Sequence, residues 1–293
     1  MFANAYRTAS EFTRPVIIST RQLDGNVHCS VAAFLILNPK GWIATAAHVF
    51  DSLMLFRQHE PLVAEYQGKV RAIEAGPVLE AKQRARRIKQ LGADPKWLVN
   101  HSFWWGWDGI QLQDVKLLQE ADLAVGRLSP WDPGRVGTYP VIKDPSKAMD
   151  VGTSLCKLGY PFHEVTATYD ESQNAFHLAP GTLPIPRFPL DGIYTRNAVQ
   201  GKTSDGRYTI KFLETSSPGL RGQSGGPIFD REAVVWGLQS RTVHLPLGFN
   251  PPVIKNGRRV EEHQFLNVGL GVHAEVITAF LADNKISFQK STY

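Results

Sequence analysis

Ser224 lies in Gly222-Gln223-Ser224-Gly225-Gly226-Pro227, and a serine framed by glycines can present both a nucleophile and the backbone N–H groups that stabilise an oxyanion. Its hydroxyl attacks only when a base takes its proton, and that base is best held by a carboxylate. Both partners occur upstream: His48 in Gly41-Trp42-Ile43-Ala44-Thr45-Ala46-Ala47-His48, and Asp122 in Ala121-Asp122-Leu123-Ala124-Val125. His48 is the expected general base and acid, Asp122 its orienting carboxylate, and the N–H groups of Gly222 and Ser224 the expected oxyanion donors. Taken singly, the histidine could open a helix and the aspartate could be a surface acid on a strand. Taken in order with the serine, they describe one site. Asp108 and Asp114 are competing acids, but neither precedes an apolar run like Leu123 to Leu128.

The segment also fits the G-x-S-x-G elbow of α/β-hydrolases, which needs an acid and a histidine downstream and a helix after the serine. Here Pro227 and a β-rich run follow, and the marked acid and histidine lie upstream. The order Asp, His, Ser of subtilisins fails as well. In the order His, Asp, Ser the three settings resemble the trypsin-like (chymotrypsin-fold) serine peptidases, whose motifs read roughly T-A-A-H, D-[ILV]-A and G-x-S-G-G-P. The resemblance runs from about residue 15 to residue 285, and Val151 to Pro161 is similar to the opening of the second barrel in bacterial HtrA-type proteases. It leaves no room for an appended PDZ-like module.

The resemblance implies an all-β fold of two six-stranded antiparallel barrels with the site in the cleft between them. The implied activity is hydrolysis of peptide bonds in protein or peptide substrates through an acyl-enzyme. In family terms Pro218 is the floor of the primary specificity pocket, so the acid that selects arginine or lysine is missing. Ser240, Arg241 and Thr242 would form one wall and pair with the peptide backbone, and Gly269 to Gly271 another. Pro218, Leu220 and Leu270 point to a small or medium apolar side chain at the cut, while Arg221, Arg241 and His244 keep an acidic preference open. Gln223 stands where vertebrate relatives carry the acid that pairs with a new N-terminus. No N-terminal cleavage is then expected to be needed, and control falls to loops or a partner protein. Similar modules without secretion signals resemble effectors that work with a partner, including in defence assemblies. The rival expectation is a catalytically silent scaffold that binds protein or nucleic acid.

The elements that must position these residues read as strands. Val16 to Ser19, Val31 to Leu37, Trp42 to Ala46, Leu62 to Ile73 and Leu123 to Leu128 are β-branched or aliphatic runs broken by turn signals. The first half, 1–134, ends at the turn cluster Ser129 to Gly134, and the second half is 135–293. Residues 1–14 read as an arm or an extension of the first barrel. Within the first half a helical insertion is expected at about 77–107, opened by Pro77 and closed by Gly92. Its Lys82, Arg84, Arg86, Arg87 and Lys89 read as a solvated face, and Trp97, Phe103, Trp104, Trp105 and Trp107 as packing. In the second half, Gly192 to Ala198 and Tyr208 to Glu214 read as strands, followed by Ala233 to Ser240 and Val268 to His273. His244 to Glu262 reads as a loop, and a helix bearing Val276, Ile277, Phe280 and Leu281 closes the chain.

Composition excludes several classes. With 32 Lys and Arg against 27 Asp and Glu, the net charge of +5 over 293 residues is too mild to argue for nucleic acid. The longest apolar run, Val31 to Leu37, is far short of a bilayer span. The N-terminus lacks the apolar core of a secretory signal, so a cytoplasmic location is expected. The two cysteines, Cys29 and Cys156, read as reduced, buried thiols. Nine scattered histidines show no metal-ligand spacing, and no glycine-rich phosphate loop occurs. No cofactor is expected.

Overall fold

A computed structural model of the protein describes residues 1–76 and 80–293. Two β systems make up its body, antiparallel except where one short strand of the second pairs in parallel with two others. The first contains β1 (Thr13–Gln22), β2 (Val27–Ile36), β3 (Trp42–Thr45), β4 (Leu98–Trp105), β5 (Gln111–Leu118) and β6 (Leu123–Ser129), hydrogen-bonded in the order β4-β1-β2-β3-β6-β5. Alternation along the strands sends Val16, Phe34, Ile36, Ile43, Trp105 and Ala124 into one core, where the Phe34 and Trp105 rings meet edge to face at 5.4 Å.

The second system begins with β7 (Val141–Ile142) and β8 (Ser154–Gly159), and a small hairpin of β9 (Ala167–Asp170) and β10 (Ala175–Leu178) follows. It continues with β11 (Phe188–Lys202), β12 (Thr209–Thr215), β13 (Pro227–Phe229) and β14 (Val234–Pro246). A second hairpin, β15 (Pro252–Lys255) and β16 (Arg258–Glu261), precedes β17 (Phe265–His273) and β18 (Gln289–Lys290). The parallel strand is β7, which pairs with β14 and β18. The order β13-β8-β11-β12-β17-β14 closes on itself through a β13–β14 pairing, which removes the free edges of those strands. The fold is the expected two-barrel architecture with added helices.

Four helices occur among the described residues: α1 (Ala3–Phe12), α2 (Asp51–Ala75), α3 (Ala81–Gln90) and α4 (Ala274–Asp283). The basic helix is present as α3, with none of its residues buried, and α4 docks Val276, Ile277, Phe280 and Leu281 into the second-barrel core. The expectation that Pro77 opens the basic helix falls outside the described residues.

Several expectations are corrected. Leu62 to Ile73 is not a strand but the second half of α2. Among the less exposed positions, 52, 56, 59, 63, 66, 70 and 73 recur every three or four residues, so one stripe meets β4 while Leu62 stays outside. Ser52 Oγ and His101 Nε2 lie 2.9 Å apart, and the Leu98 N–H donates to His59 Nδ1 at 2.9 Å, fastening the helix to β4. The insertion does not extend to about 107, because Leu98–Trp105 is a strand of the first system whose Trp105 is buried in the first core. Residues 1–14 form α1 and the start of β1. Ala5, Ala9 and Phe12, at helical spacing, pack in the core that contains Phe229 and Val272 of the second barrel, and the Phe2 ring lies 6.3 Å from that of Phe229. His244 to Glu262 is not a simple loop, since β14 continues to Pro246 and the β15–β16 hairpin follows.

Candidate active site

Three local structures carry the three residues. β3 ends at Thr45, and a 3₁₀ turn over Ala47–Phe50 turns His48 towards the cleft. Asp122 sits in the left-handed region at φ +54°, between a 3₁₀ turn and β6. Ser224 lies in the turn before β13. There Gly225 has φ +77°, and a Cβ on it would fall 2.2 Å from Thr45 Oγ1 and 2.3 Å from the Ala33 carbonyl. Only glycine brings the serine loop so close to the first barrel. The Ala33 N–H donates to the Ser224 carbonyl at 2.8 Å, so the contact is also hydrogen-bonded.

The geometry is continuous. Ser224 Oγ and His48 Nε2 are 2.8 Å apart, and His48 Nδ1 lies 2.9 Å from Asp122 Oδ2 and 3.0 Å from Oδ1. The His48 backbone N–H donates to Asp122 Oδ1 at 2.9 Å, and the Ser240 hydroxyl donates to Oδ2. Burial would raise the Asp122 carboxyl, but the His48 ring, the Ser240 hydroxyl and the His48 N–H together outweigh it and hold it below its ordinary value. The hydrogen bond to Asp122 raises the His48 pKa against the opposing effect of burial.

Gly222 has φ +93°, and a Cβ there would meet the Tyr160 carbonyl at 2.5 Å. The Gly222 carbonyl accepts from the Tyr160 N–H at 2.8 Å. Neither the Gly222 N–H nor the Ser224 N–H has an acceptor among the described residues. Gln223 is fully buried, and its Oε1 accepts from the Leu220 N–H at 2.9 Å. An open cleft of about 940 Å³ runs from His48 and Ser224 past Arg221 to Cys29, Phe162 and His163. Cys29 is only partly buried on this cleft, contrary to the expectation, whereas Cys156 is buried; both are unpaired. Asp108 is taken by Trp104 Nε1 at 2.7 Å and Asp114 by Arg127 at 2.8 Å, so neither competing acid serves His48.

A model of trypsin-like peptidase domains matches residues 32–238, a span that takes in all three residues. The chain belongs to that family. This trypsin-like serine endopeptidase also aligns with the active form of the Rv3671c protease from M. tuberculosis at a TM-score of 0.49 and 13% identity, over 99% of this chain and 88% of that chain. No curated protein matches the sequence.

Within the peptidase the expected substrate residues have diverse surroundings. Pro218 and Leu220 are half-buried on the serine loop. The Ser240 side chain is turned to Asp122, a role that its place at the end of an apolar strand did not reveal. Arg241 donates to Gln200 Oε1 at 3.0 Å and lies over the Phe212 ring. Thr242 Oγ1 donates to the Gly219 carbonyl at 2.6 Å. Leu270 is corrected: alternation along β17 places its side chain in the core with Leu238 and Val272. Lys157 was missed. It is 1% exposed, and its Nζ donates to the carbonyls of Ser217 and Pro218 at 2.6 Å each and to Thr215 Oγ1 at 3.1 Å. Its one signal in the sequence is a charge inside the otherwise apolar run Leu155 to Leu158.

Among the described residues no group of three or more His, Cys, Asp or Glu is placed to hold a metal ion, and no helix is long and apolar enough to cross a membrane.

Proposed function

We propose that the peptidase hydrolyses peptide bonds in protein substrates through His48, Asp122 and Ser224. The observation that carries this reading is the unbroken chain of contacts from Ser224 Oγ through the His48 ring to Asp122. His48 Nε2 takes the hydroxyl proton as Ser224 Oγ attacks the scissile carbonyl carbon. Asp122 accepts from Nδ1 and stabilises the imidazolium so formed. The carbonyl oxygen becomes an oxyanion, for which the unengaged N–H groups of Gly222 and Ser224 are the available donors; each such donor is worth about 3 kcal/mol of barrier. His48 then gives its proton to the leaving amine, and an acyl-enzyme on Ser224 remains. A water molecule, deprotonated by His48, repeats the sequence and frees the product acid.

The serine loop is braced by Gln223 Oε1 on the Leu220 N–H. This brace supports a site that needs no new N-terminus, with control left to loops or a partner protein. Fluorophosphonate labelling of the intact protein tests the reading, with Ser224→Ala as control. Labelling that requires Ser224 is expected without proteolytic trimming, together with turnover of a denatured protein substrate. No labelling of intact or trimmed protein would remove the catalytic reading in favour of a binding scaffold.

A further inference from the structure

We infer that the primary specificity pocket is closed to large side chains by Thr242 and Gln239, and that the enzyme therefore cleaves after glycine, alanine or serine. The inference rests on the proposed site at Ser224, since it concerns the pocket beside that nucleophile. By the family resemblance, the pocket lies between residues 217–222 and β14, with β17 behind.

Its two facing walls are joined directly. Thr242 Oγ1, on β14, donates to the Gly219 carbonyl at 2.6 Å, so the threonine side chain spans the space between them. Deeper in, the buried Gln239 amide donates from Nε2 to the carbonyls of Arg241 and Leu270 at 3.1 Å each. A Cβ on Gly219 would fall 2.2 Å from that nitrogen. The opposite wall therefore touches the amide even as glycine, and no side chain fits between.

Lys157 fills the floor. Three acceptors meet its ammonium, and a Cβ on Gly269 would lie 2.8 Å from Nζ. An arginine or lysine entering the pocket would face the Lys157 Nζ, itself a donor that already occupies the Ser217 and Pro218 carbonyls. A carboxylate would have to compete for an ammonium whose three N–H groups are already engaged. A leucine or phenylalanine would have to break the Thr242–Gly219 bond and displace the Gln239 amide from its acceptors. A methyl or hydroxymethyl group stops above the bridge and disturbs neither.

The test reads the pocket separately from catalysis. Peptides of one sequence ending in alanine, leucine, phenylalanine, glutamate or arginine are titrated against the Ser224→Ala protein by calorimetry. Fluorophosphonate labelling of the wild type reports independently on the nucleophile. The alanine peptide is expected to bind at least about 10-fold more tightly than the others, within the range that a few methylene groups can discriminate. Thr242→Gly in the same background should weaken the preference over leucine, since the Gln239 amide remains in place. Thr242→Ser, which keeps the bridging hydroxyl, should retain it, and melting curves confirm that both variants are folded. Equal or tighter binding of the leucine, phenylalanine, glutamate or arginine peptide, no binding of any peptide, or a preference unchanged in folded Thr242→Gly would each overturn the inference, whether or not Ser224 is labelled.

Discussion

Asp122 accepts from the His48 ring, the His48 N–H and the Ser240 hydroxyl, and it therefore stays ionised and raises the base. In the proposed role of general base His48 must be neutral, so activity should fall as pH drops through its raised pKa. Stability runs the other way for this group. Its contribution is complete below the unfolded value of 6.5 and is lost as pH rises through the raised folded value. The depressed Asp122 contributes above its unfolded value of 3.8 and loses that contribution as pH falls through the lowered one. Asp122→Asn should lower kcat by about 10⁴-fold and move the acid limb of the pH–rate profile to lower pH, both read in one set of rate measurements. Ser240→Ala, which removes one donor to a carboxylate, should cost about 10-fold to 100-fold in kcat/KM and leave the melting temperature within a few degrees.

At the scale of elements, the glycine-rich turn before β13 works because it is pressed against another barrel's strands. Gly225→Ala would force a Cβ into Thr45 Oγ1 and the Ala33 carbonyl and would strain a positive φ, at a combined cost of about 3 kcal/mol. Urea unfolding should show that loss, and fluorophosphonate labelling should fall with it, because the same contact positions Ser224. The long helix α2 behaves differently. Val63 is its one fully buried residue, so Val63→Ala should cost about 1 kcal/mol and leave labelling unchanged. Hydrophobic runs reveal elements only when their period is unambiguous. Val31 to Leu37 was legible because turn signals bound a short run. Leu62 to Ile73 was not, since its apolar residues suit either period and the helix is chosen by the stripe against β4.

Over the whole molecule, the core that includes α1 mixes Leu35, Leu37 and Ala44 of the first barrel with Phe212, Leu238 and Val272 of the second. The barrels are thereby held as one packed unit, which keeps His48 and Asp122 in register with Ser224. Phe12, 1% exposed, sits in that core. Phe12→Ala should cost about 3–5 kcal/mol in denaturant unfolding and, unlike Val63→Ala, should also reduce labelling. Lys157 couples to folding in another way. Burial brings its pKa down from 10.5 to about 7, so its folded state gains stability as pH rises between those values, although the three acceptors of the ammonium oppose that shift. Lys157→Met should destabilise the protein at neutral pH by about 2 kcal/mol, because the Ser217 and Pro218 carbonyls lose their donor; urea unfolding checks this.

The sequence by itself determined the strand-rich character of the chain and the candidates His48, Asp122 and Ser224, because each is embedded in a short motif; the two-barrel fold followed from the family resemblance that those motifs carry. The sequence also located Gly222, whose backbone turn tolerates no side chain. Tertiary structure decided what depends on the opposite wall. Ser240 reaches Asp122 across 118 positions of the chain, Thr242 reaches Gly219 across 23, and Lys157 reaches Pro218 across 61. No local pattern encodes those distances. The direction of a side chain within a known strand can be read from alternation, but the atom that it meets is set only when the barrels close.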